Sequence, residues 1–531
     1  MNPLAKLEQL NLEPAAKTEV AALIHALIEQ AERDAKTIQA KEVKIEALTF
    51  ELAYYKRIRF STKSEALAPL QRDVFEETWN TDISAIEAEV EQLQGDQTSE
   101  TVTQPSKRPR AGRQPLPDHL PRIEHRHEPE SCTCGKCGKD LVKIGEDVTE
   151  QLDVEPAKFF VHRHIRPQYA CRACETITAA PIPPAVIDGG MAAIGLLTWV
   201  MICKYLDHLP LYRLEQIAAR DGVILSRSTL ADWVGRIGVA LQPLVDRLAW
   251  HLRQRSSLHA DETPVPQLDP GSGKTKKAYL WAYRSNDLQP GPKIIVFDYQ
   301  AGRGGRYAQQ FLGDWHGQLL VDDYGGYKAL FAATRAHPES QRLLEPCIEL
   351  ACLAHARRKF FDLFQASQSP IAQEALNRIA TLYAVEAEAR DLSTAERKQL
   401  RAEKSLPILA ALHDWLQQTR LGTAPNSATV KAIDYSLKRW TALSRYAETG
   451  DLPIDNNPVE NCIRPIALGK KNWLFAGSER AGQRAAVIQT LLGTAKLNGL
   501  DPSDWLKDTL EKLPTWPNSR IDELLPLNNM D

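Results

Sequence analysis

The sequence predicts a multidomain α+β chain, helical at both ends with a strand-rich block in between. Three observations carry that reading. First, 531 residues is too long for one core at roughly 150 residues per domain. Second, extended patterns cluster after His251, in LHADETPVPQL, AYLWAYRS, KIIVFDYQ and QLLVDDY, separated by Gly- and Pro-bearing turns. Third, two C-x-x-C pairs bracket the strand-like KFFVHRHIRPQYA and mark off a small module of their own.

The N-terminal block, residues 1–94, reads as helical. Ile24, Ala31, Ile38, Ile45 and Leu52 recur at heptad spacing, and Leu27, Leu48 and Tyr55 add a second stripe that Asp34 and Lys41 interrupt. The pattern fits a coiled coil that makes a homo-oligomer, and equally an amphipathic helix packed on its own chain. A second helical stretch runs from about 67 to 93. Residues 95–122 form a Pro-containing linker with Lys107, Arg108, Arg110 and Arg113, suited to DNA phosphates or to a solvated tether.

Residues 123–182 hold the cysteine module. Cys134 and Cys137 sit on a glycine-flanked turn, and Cys171 and Cys174 supply a second pair, so four thiolates around a structural Zn²⁺ is the expected arrangement, with Cys132, His125, His127, His162 and His164 near enough in sequence to replace one ligand. Nine cysteines so distributed fit a metal site in a reducing compartment better than a disulfide framework. Residues 183–250 read as helical. Leu214–Arg220, an Asp-Gly end and a second helix capped by Ser228, with Arg220, Arg227 and Arg236 putting positive charge around them, resemble a helix-turn-helix DNA-binding unit, though two helices of an ordinary bundle fit too. The apolar run Met191–Ile202 has 12 residues, short of the ~20 a membrane span needs, and no signal peptide precedes it, so a cytoplasmic protein without a membrane partner is expected. The net charge of −3 confines any nucleic-acid surface to local patches.

The chemistry-bearing residues lie in 251–498. Asp261 sits in a strand-like run, Asp322 ends the apolar strand LLV, and Glu460 follows Asn457-Pro458. Carboxylates at strand ends can converge on hard divalent ions such as Mg²⁺ or Mn²⁺. Glu460 has a structural alternative, since Asn457-Pro458-Val459-Glu460 also reads as a capping box. His355, Arg357, Arg358 and Lys359, then Arg464, Lys470, Lys471, Arg480 and Arg484, form basic groups suited to DNA phosphates or to solvated helix faces.

HADETPVP, VDDYGGY, CLAHARRKFF and above all IDNNPVENCIRPIALGKKNWLFAGS resemble the motifs of the insertion-sequence-sixty-six transposases, the TnpC-type proteins of bacterial mobile elements. The likeness runs from RIRFSTKSEAL near the N-terminus to RIDELLP at the end. It implies an RNase-H-like α/β catalytic domain at 251–498, with a helical insertion at about 367–446 and a C-terminal helical tail at 499–531. It implies Asp261, Asp322 and Glu460 as the metal-binding catalytic acids, with Asp323 standing where the family has a small residue. It implies cleavage and strand transfer of DNA, with element terminal inverted repeats and target DNA as partners, accessory transposition proteins nearby, and a protein on the nucleoid when bound to DNA. A metal-dependent nuclease or resolvase of the same fold, and a zinc-ribbon DNA-binding regulator, are the alternatives the residues leave.

Overall fold

The computed structural model describes residues 116–531 except 117, 119, 129–138, 156–157, 270–271, 273, 338–339 and 529–531, together with helical residues between 20 and 52 and at 85–89. Cys132, Cys134, Cys137, the linker at 95–115, Ile24 and Tyr55 lie outside the described residues.

Two mixed sheets are connected by helices. The smaller one holds β1 (Arg122–Arg126), β2 (Val142–Glu155), β3 (Lys158–Ala170) and β4 (Ile177–Ala179), with β3 pairing all three others. β1 runs parallel to β3, while β2 and β4 run antiparallel to it. β2 escapes a pattern-based reading because VKIGEDVTEQLDVE is mostly solvent-facing until Leu152. Its pairing with β3 holds it extended.

Four helices follow: α1 (Ile194–Tyr205), α2 (Leu211–Arg220), α3 (Arg227–Ala240) and α4 (Gln242–Leu252). α1 contains most of the apolar run and buries Leu196, Leu197, Val200 and Met201. No helix among the described residues is long and apolar enough to cross a membrane. α2 and α3 form the expected pair, but the cap differs. Ser226, not Ser228, accepts the Thr229 N–H at 3.1 Å and starts α3. α3 buries Leu230, Ala231, Trp233, Val234 and Ile237, so its exposed part is chiefly the first turn. Two of the expected basic residues are engaged within the chain, Arg227 with Glu215 at 3.1 Å and Arg236 with Asp232 at 3.2 Å.

The larger sheet contains β5 (Ser257–Asp269), β6 (Lys274–Ser285), β7 (Ile295–Gln300), β8 (Gln318–Val321) and β9 (Ile348–Ala351), in the order β7-β6-β5-β8-β9. The first three strands are antiparallel neighbours, and β5, β8 and β9 run parallel. All four strands expected after His251 are present; β9 is an addition, too short at IELA to show a period. Pro264 and Pro266 lie in β5 beyond His259, where pairing with β8 has ended and a missing N–H is tolerated. α5 (Gly305–Leu312) links β7 to β8, and a 3₁₀ turn at Gly325–Leu330 follows β8.

After β9 come α6 (Leu353–Ser367), α7 (Pro370–Glu388), α8 (Thr394–Leu400), a π-helical turn at Arg401–Ser405, α9 (Leu406–Leu421), α10 (Ala428–Lys438) and α11 (Trp440–Ser444). The chain then returns through α12 (Asn457–Trp473), α13 (Glu479–Leu497) and α14 (Pro502–Lys512). The edge of β7 is covered by α13. Thr490 accepts the Phe297 N–H at 2.8 Å, and Thr494 donates to the Ile295 carbonyl at 3.0 Å, so backbone groups that would attract another strand are satisfied.

Strand alternation sorts the packing onto the two faces of the sheet. Leu319 and Val321 of β8, with Trp281 and Tyr283 of β6, join a core that includes α1–α4 and the C-terminal Leu506 and Leu524. Leu320, between them, faces the insertion helices, which have their own core around Phe360, Ile379, Leu412 and Ile433. Ala282 and Leu280 pack with Val459, Ile463 and Ile466 of α12. Near the N-terminus, Leu48 is 4% exposed whereas Ile38 is 48% exposed. Arg480 of α13 holds the end of this helical segment through Glu51 at 2.6 Å and Glu89 at 3.2 Å. The intramolecular packing therefore accounts for Leu48 and leaves Ile38 open.

Candidate active site

Asp261 pairs with Ala282 across the β5–β6 ladder, and opposed residues share a face, so its carboxylate lies on the side that α12 covers. Asp322 follows Val321 and falls on the same side by alternation. Its Oδ1 accepts the Tyr324 N–H at 2.8 Å. Glu460 occupies the first turn of α12. The structure thus brings together three acids widely separated along the chain. Burial pushes the Asp261 carboxyl up to about 8, and the charges of Glu262, Asp322 and Glu460 add to that rise.

The capping-box alternative for Glu460 does not hold. α12 begins one residue earlier than that reading needs, with Asn456 at the cap, and Glu460 Oε1 is buried with no hydrogen-bond partner. Asn456 makes no capping bond because its side chain is committed to β5. It donates to the Ala260 carbonyl at 2.9 Å and meets His259 Nδ1 at 2.9 Å. Burial holds His259 down near 4, so it stays a neutral hydrogen-bonding partner. One turn of hydrogen bonds therefore ties the helix carrying Glu460 to the strand carrying Asp261.

Asp322 and Asp323 part company. Asp323 Oδ1 lies 3.8 Å from Arg439 in the insertion, and the same guanidinium binds Glu349 at 2.6 Å and the Asp322 carbonyl at 2.9 Å. Glu262 lies on the main-core face, where Tyr327 donates to it at 2.7 Å and Arg303 pairs with it at 2.6 Å. Arg303 in turn stacks 3.8 Å from the Tyr324 ring.

Arg357, Arg358 and Lys359 project from α6 into solvent, as do Arg464 and Lys471 from α12; Lys470 is half-buried and donates to the Pro264 carbonyl at 3.0 Å. Arg480 and Arg484, read from sequence as further phosphate contacts, have structural duties instead: Arg480 in the pairs with Glu51 and Glu89, Arg484 buried against Gly238. Sequence reasoning missed His259, Asn456 and Arg303. His355, read from sequence with the phosphate-binding cluster, stands three residues after Cys352 in CLAH at a helix start, so that both face the same way.

Of the zinc candidates, Cys171 is buried and Cys174 exposed, in the turn between β3 and β4. The turn closes through Cys171 N–H to Thr176 O at 2.9 Å and Glu175 N–H to Cys171 O at 2.8 Å. Nearby, His125 and His162 meet at 2.8 Å and His127 and His164 at 3.0 Å, diagonal contacts between β1 and β3, whose register sets His125 opposite His164. These histidines are spent on one another and on Asp153 and Gln151.

Residues 189–484 match the family described as "Transposase IS66 family". The chain belongs to the IS66 transposase family. Residues 131–175 match the zinc-finger binding domain of IS66 transposases, a span that includes all four cysteines of the two C-x-x-C pairs. Residues 490–527 match the IS66 C-terminal element, and 47–124 match "Transposase C of IS166 homeodomain". The chain is similar throughout to proteins of Sinorhizobium fredii (strain NBRC 101917 / NGR234) that are themselves uncharacterized. It is 39% identical to y4qI over 96% of this chain and 93% of the relative, and 37% identical to y4jD over 91% and 94%. As an IS66 transposase it is a DNA-acting protein with a zinc-finger region and a divalent-metal domain.

Proposed function

We propose that this transposase cuts DNA at the element ends and joins the freed 3′-hydroxyl to target DNA, using Asp261, Asp322 and Glu460 on an RNase-H-like domain. The sheet order, with three antiparallel strands leading into two parallel ones, supports that fold assignment. The observation that carries the reading is the Asp261 carboxyl, buried on the side of the sheet where Asp322 and Glu460 also lie. Burial first, and those neighbouring charges after it, make its ionised form costly unless a cation offsets it. The unpartnered Glu460 Oε1 and the hard oxygen donors fit a divalent ion.

Asp261 holds the centre of the site, with Asp322 and Glu460 on either side. When bound, a pair of Mg²⁺ or Mn²⁺ ions supplies positive charge to the attacking and leaving oxygens of an in-line phosphoryl transfer. Arg303 neutralises Glu262, so that acid does not compete as a further ligand. Asn456 fixes the helix of Glu460 against β5. Arg357, Arg358, Lys359, Arg464, Lys470 and Lys471 bind phosphates around the site. Cys134, Cys137, Cys171 and Cys174 hold one structural Zn²⁺, and the residues before about 60 bring copies of the chain together.

The test is Glu460→Gln assayed on labelled duplexes carrying the element ends. The amide keeps the side chain's size and loses the charge that holds the ion. Loss of cleavage and joining with DNA binding retained is the expected result, and cleavage at the wild-type rate sinks the proposal.

A further inference from the structure

His355 stands at the start of α6, on the face turned toward α12. Its Nδ1 lies 3.7 Å from Glu460 Oε1. That is too long for a hydrogen bond. Both atoms are buried and neither has a hydrogen-bond partner. Buried polar atoms left side by side without a hydrogen bond are a costly arrangement. The separation is one that two donors, each ~2.1 Å from a shared ion, can span.

The neighbours narrow what His355 can serve. Asp455 is already engaged: Tyr383 donates to it at 3.0 Å and the Asn457 side chain at 2.8 Å. Cys352 Sγ falls within 4.8 Å of the His355 and Glu460 donor atoms, but it accepts the Asn456 N–H at 3.2 Å. A thiol is also a poor partner for a hard ion. Asp261 and Asp322 are not part of this tight cluster. The gap between His355 and Glu460 is therefore lined by one imidazole nitrogen and one carboxylate oxygen.

We propose that His355 coordinates, through Nδ1, the divalent ion held by Glu460, so that this position is a mixed nitrogen–oxygen site and not an all-carboxylate one. The inference rests on Glu460 being a metal ligand. An imidazole donor suits transition metals better than Mg²⁺, so His355 biases this position toward Mn²⁺.

The experiment uses the full-length protein with Mn²⁺ alone, read by pulsed electron paramagnetic resonance and by titration of free Mn²⁺. Wild-type protein should show ¹⁴N coupling of an imidazole to bound Mn²⁺. His355→Gln should lose that coupling and bind Mn²⁺ about tenfold or more weakly, the scale on which perturbed ligand sets lose metal. The wild-type spectrum decides the presence of nitrogen whether or not the variant folds. If Glu460→Gln weakens Mn²⁺ binding but the wild-type spectrum shows no nitrogen, or if the coupling survives in His355→Gln, His355 is not a ligand and the carboxylate reading stands. If Mn²⁺ binding is absent, or indifferent to both Asp261→Asn and Glu460→Gln, the carboxylate reading itself falls and takes this one with it.

Discussion

Replacing Asp261 with Asn should stabilise the metal-free protein, and increasingly so as the pH rises. The folded carboxyl titrates at about 8 against an ordinary 3.8, driven first by burial and then by the charges of Glu262, Asp322 and Glu460. Between those two values the unfolded chain has released a proton that the folded chain keeps, so folding loses stability as pH rises through that window. Each pH unit costs about 1.4 kcal/mol, which accumulates to roughly 4 kcal/mol by pH 7. Asn removes the titration while its Oδ1 can still accept the Glu262 N–H that Asp261 accepts at 2.8 Å. The assay is unfolding of wild-type and Asp261→Asn protein in chelator at pH 5, 6, 7 and 8. The stability gap should widen with pH and level off near 8, and saturating Mn²⁺ should close or reverse it by stabilising only the wild type. A gap that stays flat across the range, or an Asn variant that is the less stable at pH 8, refutes the argument.

Asp322→Asn should abolish metal-dependent cleavage, whereas Asp323→Asn should lower it only modestly, because Asp323 faces Arg439; equal losses in a cleavage assay would mean the two aspartates share the site. Cys171→Ser should strip the bound zinc and loosen the smaller sheet, measured by metal analysis and unfolding, while a variant that keeps full zinc content would argue for another ligand set. Removing the first 60 residues should shift sedimentation to a smaller species, since Ile38 lies open for a second copy; an unchanged oligomer would assign the helix to intramolecular packing alone.

The parts legible in the sequence were those with local patterns. LLV before Asp322 is apolar at every position because β8 is buried on both faces, and the turn signals marked out β5 to β7. What stayed hidden depends on contacts between distant segments. Asn457-Pro458 looks like a helix cap only until Asn456 is seen bonded to His259 and Ala260, nearly two hundred positions away. Arg480 reads as a phosphate ligand from its neighbours in sequence, but Glu51 and Glu89 come to it from the N-terminus. Ser226 and Ser228 are equally good caps on composition, and backbone geometry alone chose between them.

The insertion leaves the sheet at Leu353 and rejoins it at Ile454, where a backbone bond of 3.1 Å closes the two ends on each other. So narrow a neck leaves the helices between to be steadied by what they touch on the sheet: Leu320 packs into their core, Arg445 donates to the Glu349 carbonyl, and Arg439 pairs with the Glu349 side chain. Arg439 also reaches the carbonyl oxygens of Val321 and Asp322 and acts as a strut across the gap. The helical insertion is thus a cantilever with several braces, one of which ends on the backbone of Asp322. A load applied to its far end, as by a DNA duplex lying across it, has a direct path to Asp322 through that strut.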